Sequence, residues 1–149
     1  MTTDLAEPTR QSLRRGAHPR CAVCSELNRH GLGVCYHADR EGVQGLFECR
    51  SDYEGYPGTL HGGVVSCLLD GAMTHCLFAR GITAVTAELS VRFRHPVRTG
   101  AEARVRAHME RSNAPLYVLS AELEQEGEVR ATATGKFMAT EAALAGQPK

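Results

Sequence analysis

The feature that most constrains this chain is an unbroken series of period-two segments over residues 83–137. From residue 83 to 95 the odd positions Val85, Ala87, Leu89, Val91 and Phe93 are apolar, and the even positions Thr86, Glu88, Ser90, Arg92 and Arg94 are polar. Alternation of this kind predicts a strand buried on one face. The pattern resumes with Ala101, Ala103, Val105, Ala107 and Met109, then with Tyr117, Leu119, Ala121 and Leu123, then with Val129, Ala131, Ala133, Gly135 and Phe137. The connecting stretches HPVRTG, SNAP and QEGE carry turn residues. Four consecutive strands on short turns predict an antiparallel meander with one apolar face.

Only one long segment with a different period is available to cover that face. Residues 61–80 are apolar around most of a helical circumference, through Val64, Val65, Leu68, Leu69, Ala72, Met73, Cys76 and Leu77, with Gly81 at the C-terminal cap. A helix apolar nearly all round is a buried helix. The expected class is therefore α+β, a curled antiparallel sheet wrapped around one long central helix, with one or two earlier strands from residues 33–50 completing the sheet.

The length of 149 residues suits one domain. Residues 1–20 read as a flexible N-terminal tail, 21–140 as the single folded domain, and 141–149 as a C-terminal tail. The charges balance, 17 basic against 17 acidic, which argues against a nucleic-acid partner. No apolar run is long enough to span a bilayer, and the first residues lack the apolar core of a secretion signal, so no membrane partner is expected. The expected compartment is the cytoplasm, with the six cysteines reduced.

Two features of the helix carry chemistry. Its mouth reads GTLHGG, residues 58–63. Gly62 and Gly63 leave room for another group to approach the backbone, where the first helical amides lack internal partners and carry the positive end of the dipole. An oxygen gaining negative charge is stabilised there. Further along, Asp70 sits among Leu68, Leu69, Ala72 and Met73, where lost hydration raises a carboxyl pKa unless a partner such as Ser66 or Thr74 offsets it. A base tuned in this way works near neutral pH. Eight residues separate Gly62 from Asp70, about 12 Å along a helix, so the two cannot reach one carbonyl carbon within one chain. Two antiparallel copies of the helix beside a twofold axis would bring them together.

These residues, with the strand TAELSVRFRHPV and the later GKFM, resemble the hotdog-fold acyl-CoA thioesterases, in the PaaI-like branch of the 4-hydroxybenzoyl-CoA thioesterase superfamily. The stretch CAVCSELNRHGLGV is similar to the start of many members. The resemblance covers residues 21–140. It implies a dimer, or a dimer of dimers, with sites shared between subunits. It also implies that the Gly62 amide polarises the thioester carbonyl beside His61, and that Asp70 activates water or attacks the carbonyl. Thr86 falls where relatives carry a hydroxyl that helps hold the water. Some members have an Asn six residues before the His. That position is Gly55 here, leaving Tyr53 or Tyr56 to orient carbonyl or water. The expected substrate is an acyl-CoA or acyl-carrier-protein thioester, hydrolysed to a carboxylic acid and a free thiol. No cofactor is expected beyond the coenzyme A of the substrate, and no metal, because a thioester is already electrophilic.

Two other readings are open: a non-catalytic module binding acyl-CoA or acyl-carrier protein, and a hotdog enzyme of hydratase or dehydratase type. The second would use Asp70 with His75, but positions five apart on a helix point about 140° apart. Arg92 and Arg94 share parity with Arg104 and Arg106, and four guanidiniums on neighbouring strands would suit the coenzyme A phosphates. Cys21-x-x-Cys24 has metal or redox spacing, but no second pair follows at a standard interval, so free thiols are expected. Cys49, Cys67 and Cys76 read as small core residues.

Overall fold

A computed structural model describes residues 2–139, with side chains from residue 6 onward. The segment read as a C-terminal tail lies outside these residues. In chain order the elements are α1 (Thr2–Ala17), β1 (Cys35–Ala38), β2 (Val43–Glu48), a 3-10 turn (Ser51–Tyr53), α2 (Gly62–Phe78), β3 (Val85–Phe93), β4 (Glu102–Asn113), β5 (Leu116–Gln125) and β6 (Glu128–Met138). The six strands form one antiparallel sheet in the order β1-β2-β4-β5-β6-β3.

The expected curl around one helix is present. From α2 the core takes Val65, Leu68, Leu69, Ala72, Met73, Cys76 and Leu77, and from the sheet mainly Phe47, Val105, Leu119, Leu123 and Phe137. Ala103, Ala107, Ala121, Ala131 and Ala133 also face inward, and their small side chains let the helix lie close to the strands. The end of α2 is closed by bonds from Gly81 N to Phe78 O at 3.0 Å and Ile82 N to Leu77 O at 3.0 Å, with Gly81 at φ 76°. This is a Schellman arrangement, and its left-handed residue favours glycine. Glu126 (φ 54°) and Gly127 (φ 76°) make the two-residue hairpin between β5 and β6.

Three expectations are corrected. Strands β4, β5 and β6 form a meander, but β3 pairs with β6 and not with β4. The stretch HPVRTG is thus a crossover from the sheet edge to its middle. Thr59 pairs with Arg98 on it, and the Leu60 amide donates to Val97 O at 2.7 Å.

Strand β3 is also not half-buried in the single chain. Only Leu89 and Val91 are partly covered, while Val85 and Phe93 are 44% and 55% exposed. It is an edge strand, with no neighbour beyond it among the described residues.

Finally, residues 1–20 are not a tail, since they contain α1. Arg10 on α1 is buried, donates to His75 Nδ1 at 3.0 Å and holds Glu7, whose Oε2 accepts from the Ala38 amide of β1 at 2.6 Å. Helix α1 therefore closes the side of α2 that the sheet leaves open, and residues 71–78 are buried without a break. Cys49 and Cys76 are buried as expected, whereas Cys67 is exposed.

Candidate active site

The mouth of α2 is built by His61. It takes the N-cap position, and its Nδ1 accepts from the Gly63 amide at 2.8 Å. In that bond Nδ1 is the acceptor, so the ring turns Nε2 away from the cap. The Gly63 amide is thus engaged by the cap, and among the described residues the Gly62 amide has no acceptor. Of the two glycines expected to face substrate, Gly62 offers the open donor.

Gly55 lies under the His61 ring. A Cβ added there would sit 3.2 Å from His61 Cδ2 and 3.4 Å from its Cα. Glycine at this position lets the ring lie against the backbone. Tyr53 is tied into the same corner, its carbonyl accepting from the His61 amide at 2.9 Å and its ring packed on Phe47. Tyr56 is 84% exposed.

A cavity of about 630 Å³ opens in front of the mouth, lined by Tyr56, Leu60, His61, Gly62, Phe93 and Arg94 among others. Its walls are chiefly apolar. Phe93 is a residue the sequence reading did not place here. Its ring would be 3.6 Å from a Cβ at Gly62. The signal was the apolar residue that closes the strand just before the turn HPVRTG.

Asp70 lies two turns further along α2, outside that cavity. Burial pushes its carboxyl pKa up, against a hydrogen bond that lowers it: Thr86 Oγ1 donates to Asp70 Oδ1 at 2.7 Å. The expected local partners take other roles. Thr74 Oγ1 donates to the Asp70 carbonyl and Ser66 Oγ to the Gly62 carbonyl. Thr86 is placed by β3, whose register slips between Thr86 and Glu88. Such a bulge re-aims side chains at a strand end. Gly63, Cys67 and Asp70 form one stripe of α2 that the chain itself leaves exposed or half-covered, next to the exposed β3.

His75 does not join Asp70. It is buried against Tyr36 and Phe78 and bonded to Arg10. Burial first, and Arg10 second, lower its pKa to about 3, so it stays neutral.

The arginines do not form the expected cluster. Arg92 pairs with Thr132, Thr132 with Glu122 and Glu122 with Arg106, so two strands separate Arg92 from Arg106. Arg92 lines a groove of about 1010 Å³ with Arg106, His108 and Glu122, while Arg94 borders both this groove and the helix-mouth cavity.

A curled antiparallel sheet on one helix, with a half-buried carboxylate midway along that helix and an open amide at its mouth, defines a hotdog-fold protein. The chain belongs to the thioesterase superfamily, whose family model matches residues 57–132, and its fold is similar to that of PaaI proteins. Its structure is similar to that of the phenylacetic acid degradation protein PaaI from Thermus thermophilus, solved as a variant. The TM-score is 0.68 and the identity 26%, covering 73% of this chain and 95% of that one. A thioesterase superfamily protein gives a TM-score of 0.74 at 23% identity, with 78% of this chain and 62% of that longer chain covered. A protein from Streptococcus mutans, solved with bound acetyl CoA, shares the fold at 19% identity. Its TM-score is 0.67, covering 72% of this chain and 88% of that one. A comparison with curated proteins found no significant match. Among the described residues no helix is long and apolar enough to cross a membrane.

Proposed function

We propose that this protein is an acyl-CoA thioesterase whose two active sites lie between the subunits of a homodimer. The observation that carries the reading is the division of labour along α2: an open Gly62 amide at one end, and a burial-tuned Asp70 held by Thr86 two turns away. Within one chain these cannot meet. The uncovered stripe of Gly63, Cys67 and Asp70, beside an edge strand with exposed Val85 and Phe93, is the surface that a second copy would cover. That copy would set its own helix mouth against Asp70.

The Gly62 amide then donates to the thioester oxygen and draws charge from the carbonyl carbon. Asp70 of the partner subunit takes a proton from the attacking water, or attacks the carbonyl directly to form an anhydride that water then cleaves to free the acid and restore Asp70; in either route the thiolate of coenzyme A leaves. Thr86 orients the carboxylate through Oδ1 and leaves Oδ2 for the water or the carbon. The apolar cavity with Tyr56 and Phe93 receives part of the acyl-thioester, and Arg94 at its rim meets the phosphates of the coenzyme. A fold relative with bound acetyl CoA supports the substrate class. An acyl-carrier-protein thioester presents the same reacting atoms. The chemistry needs no cofactor beyond the substrate's own coenzyme A.

Thiol release from a panel of acyl-CoAs tests this reading, with wild type beside Asp70→Asn. We expect turnover by wild type and a loss of about 10²–10⁴-fold in the variant, the usual size of a general-base contribution. Equal rates would remove Asp70 from the mechanism. Tight acyl-CoA binding without turnover would favour the non-catalytic module.

A further inference from the structure

Residues 18–34 link α1 to β1 without helix or strand, yet they are folded tightly on themselves. The amides of Leu32 and Val34 donate to the carbonyls of Ala22 and Val23, both at 2.8 Å, and Ser25 Oγ donates to Pro19 O at 2.7 Å. An irregular segment of this length inside a compact domain usually carries a function of its own. At its start stand His18, Cys21 and Cys24, spaced three residues apart. The His18 ring nitrogen and the two sulfurs lie within 4.8 Å of one another, and His18 Nδ1 is 3.8 Å from Cys24 Sγ.

A tetrahedral ion bonded at about 2.3 Å to sulfur and about 2.0 Å to imidazole nitrogen separates its ligand atoms by about 3.5–3.8 Å. The three groups are therefore close to a ligating arrangement before any ion arrives. Cys24 is buried and Cys21 partly so. The Val23 amide donates to Cys21 Sγ at 3.3 Å, a contact that favours the thiolate, the form that binds metals. Two thiolates this close repel unless a cation lies between them.

We propose that His18 Nδ1, Cys21 Sγ and Cys24 Sγ bind one zinc-class divalent cation, with water in the fourth position. Its role is structural. The His18 ring packs edge-on against Phe78 of α2 with centroids 5.0 Å apart, and Arg14 of α1 donates to the Cys24 carbonyl at 3.3 Å. Val23, between the two cysteines, rests on α2 where Gly71 leaves space. An ion here ties the end of α1 and the loop to the central helix, one residue beyond Asp70. The site stands apart from the thioesterase reading and holds or fails on its own.

The test uses full-length, fully reduced protein stripped with chelator and titrated anaerobically with Co²⁺, then with Zn²⁺. We expect one Co²⁺ per chain, with thiolate-to-cobalt charge-transfer bands and four-coordinate visible bands, displaced by one equivalent of Zn²⁺. Zn²⁺ should raise the urea midpoint of wild type. Cys24→Ser should lose both the bands and the shift. His18→Ala should weaken binding by more than about a hundredfold, beyond what an outer-sphere change costs. Cys35→Ser and Cys67→Ser should bind like wild type. If Cys24→Ser does not fold, Cys21→Ser and His18→Ala give the same reading. Uptake by reduced wild type no greater than by these variants, or bands that follow Cys35 or Cys67, would overturn the site. So would a Cys21–Cys24 disulfide in the oxidised protein with no metal uptake in the reduced one.

Discussion

At the scale of single residues, the pair Thr86 and Asp70 sets two opposing effects against each other on one carboxyl. Burial raises its pKa, and the threonine hydroxyl, by donating to the ionised form, lowers it. As a base or nucleophile Asp70 acts only when ionised, so activity should rise as pH passes upward through its pKa. Thr86→Val keeps the shape and removes the donor. The pKa then rises further, and the acid limb of the kcat–pH profile should move to higher pH. On the plateau kcat should fall by about fivefold, the equivalent of one hydrogen bond of about 1 kcal/mol. Profiles of both proteins on the best acyl-CoA decide it. A limb that stays in place would mean that Thr86 holds something other than the carboxylate. Asp70 was legible in the sequence as a charge in an apolar run. Its partner was not legible on geometric grounds, because a contact across 16 positions depends on a bulge in β3 that the alternation does not encode.

At the scale of elements, α2 is squeezed between the sheet and the loop that follows α1, and Gly71 marks the closest approach. Replacing glycine by alanine inside a helix ordinarily gains about 1 kcal/mol. Here the new Cβ would lie 2.6 Å from Tyr36 Oη and 2.9 Å from Val23 Cγ1. Tyr36 is fully buried and its hydroxyl is held by Leu68 O at 2.9 Å, so it cannot swing aside. The clash should outweigh the propensity, and Gly71→Ala should lose about 1–3 kcal/mol, the usual range for overpacking. Urea unfolding measures it, and a more stable variant would show that the loop yields easily. The same element shows where pattern reading stops. Apolar residues around most of α2 told correctly that it is a core helix, and residues 71–78 are indeed covered on all sides. They did not say by what, since α1 packs on it through the buried Arg10, held by the half-buried Glu7, and a segment rich in charge reads as solvated. The order of the strands was hidden for a related reason. Alternation gives each strand a face but not a neighbour, so β3 was placed beside β4 when its ladder lies with β6.

At the scale of the whole molecule, the described residues are unevenly covered. One face of the sheet is covered by α2 and the far half of α2 by α1, while β3 and the stripe through Asp70 are left exposed or half-covered. Five alternating positions on β3 forecast a buried face that the monomer does not supply. In the homodimer proposed above, another subunit lies on that strand and supplies the burial. A shared site gives this a catalytic consequence that mixing can expose. One variant carries Asp70→Asn with an intact helix mouth. The other carries Gly62→Val, which crowds the mouth against Phe93, with Asp70 intact. Each homodimer should be nearly inactive. When the two are unfolded together, refolded and allowed to pair at random, about half the dimers are mixed, and each mixed dimer holds one site with both intact groups. Activity should therefore return to about one quarter of wild type per subunit. Sites contained within one chain would give no recovery at any mixing ratio, while light scattering on the same samples reports whether the subunits have paired at all.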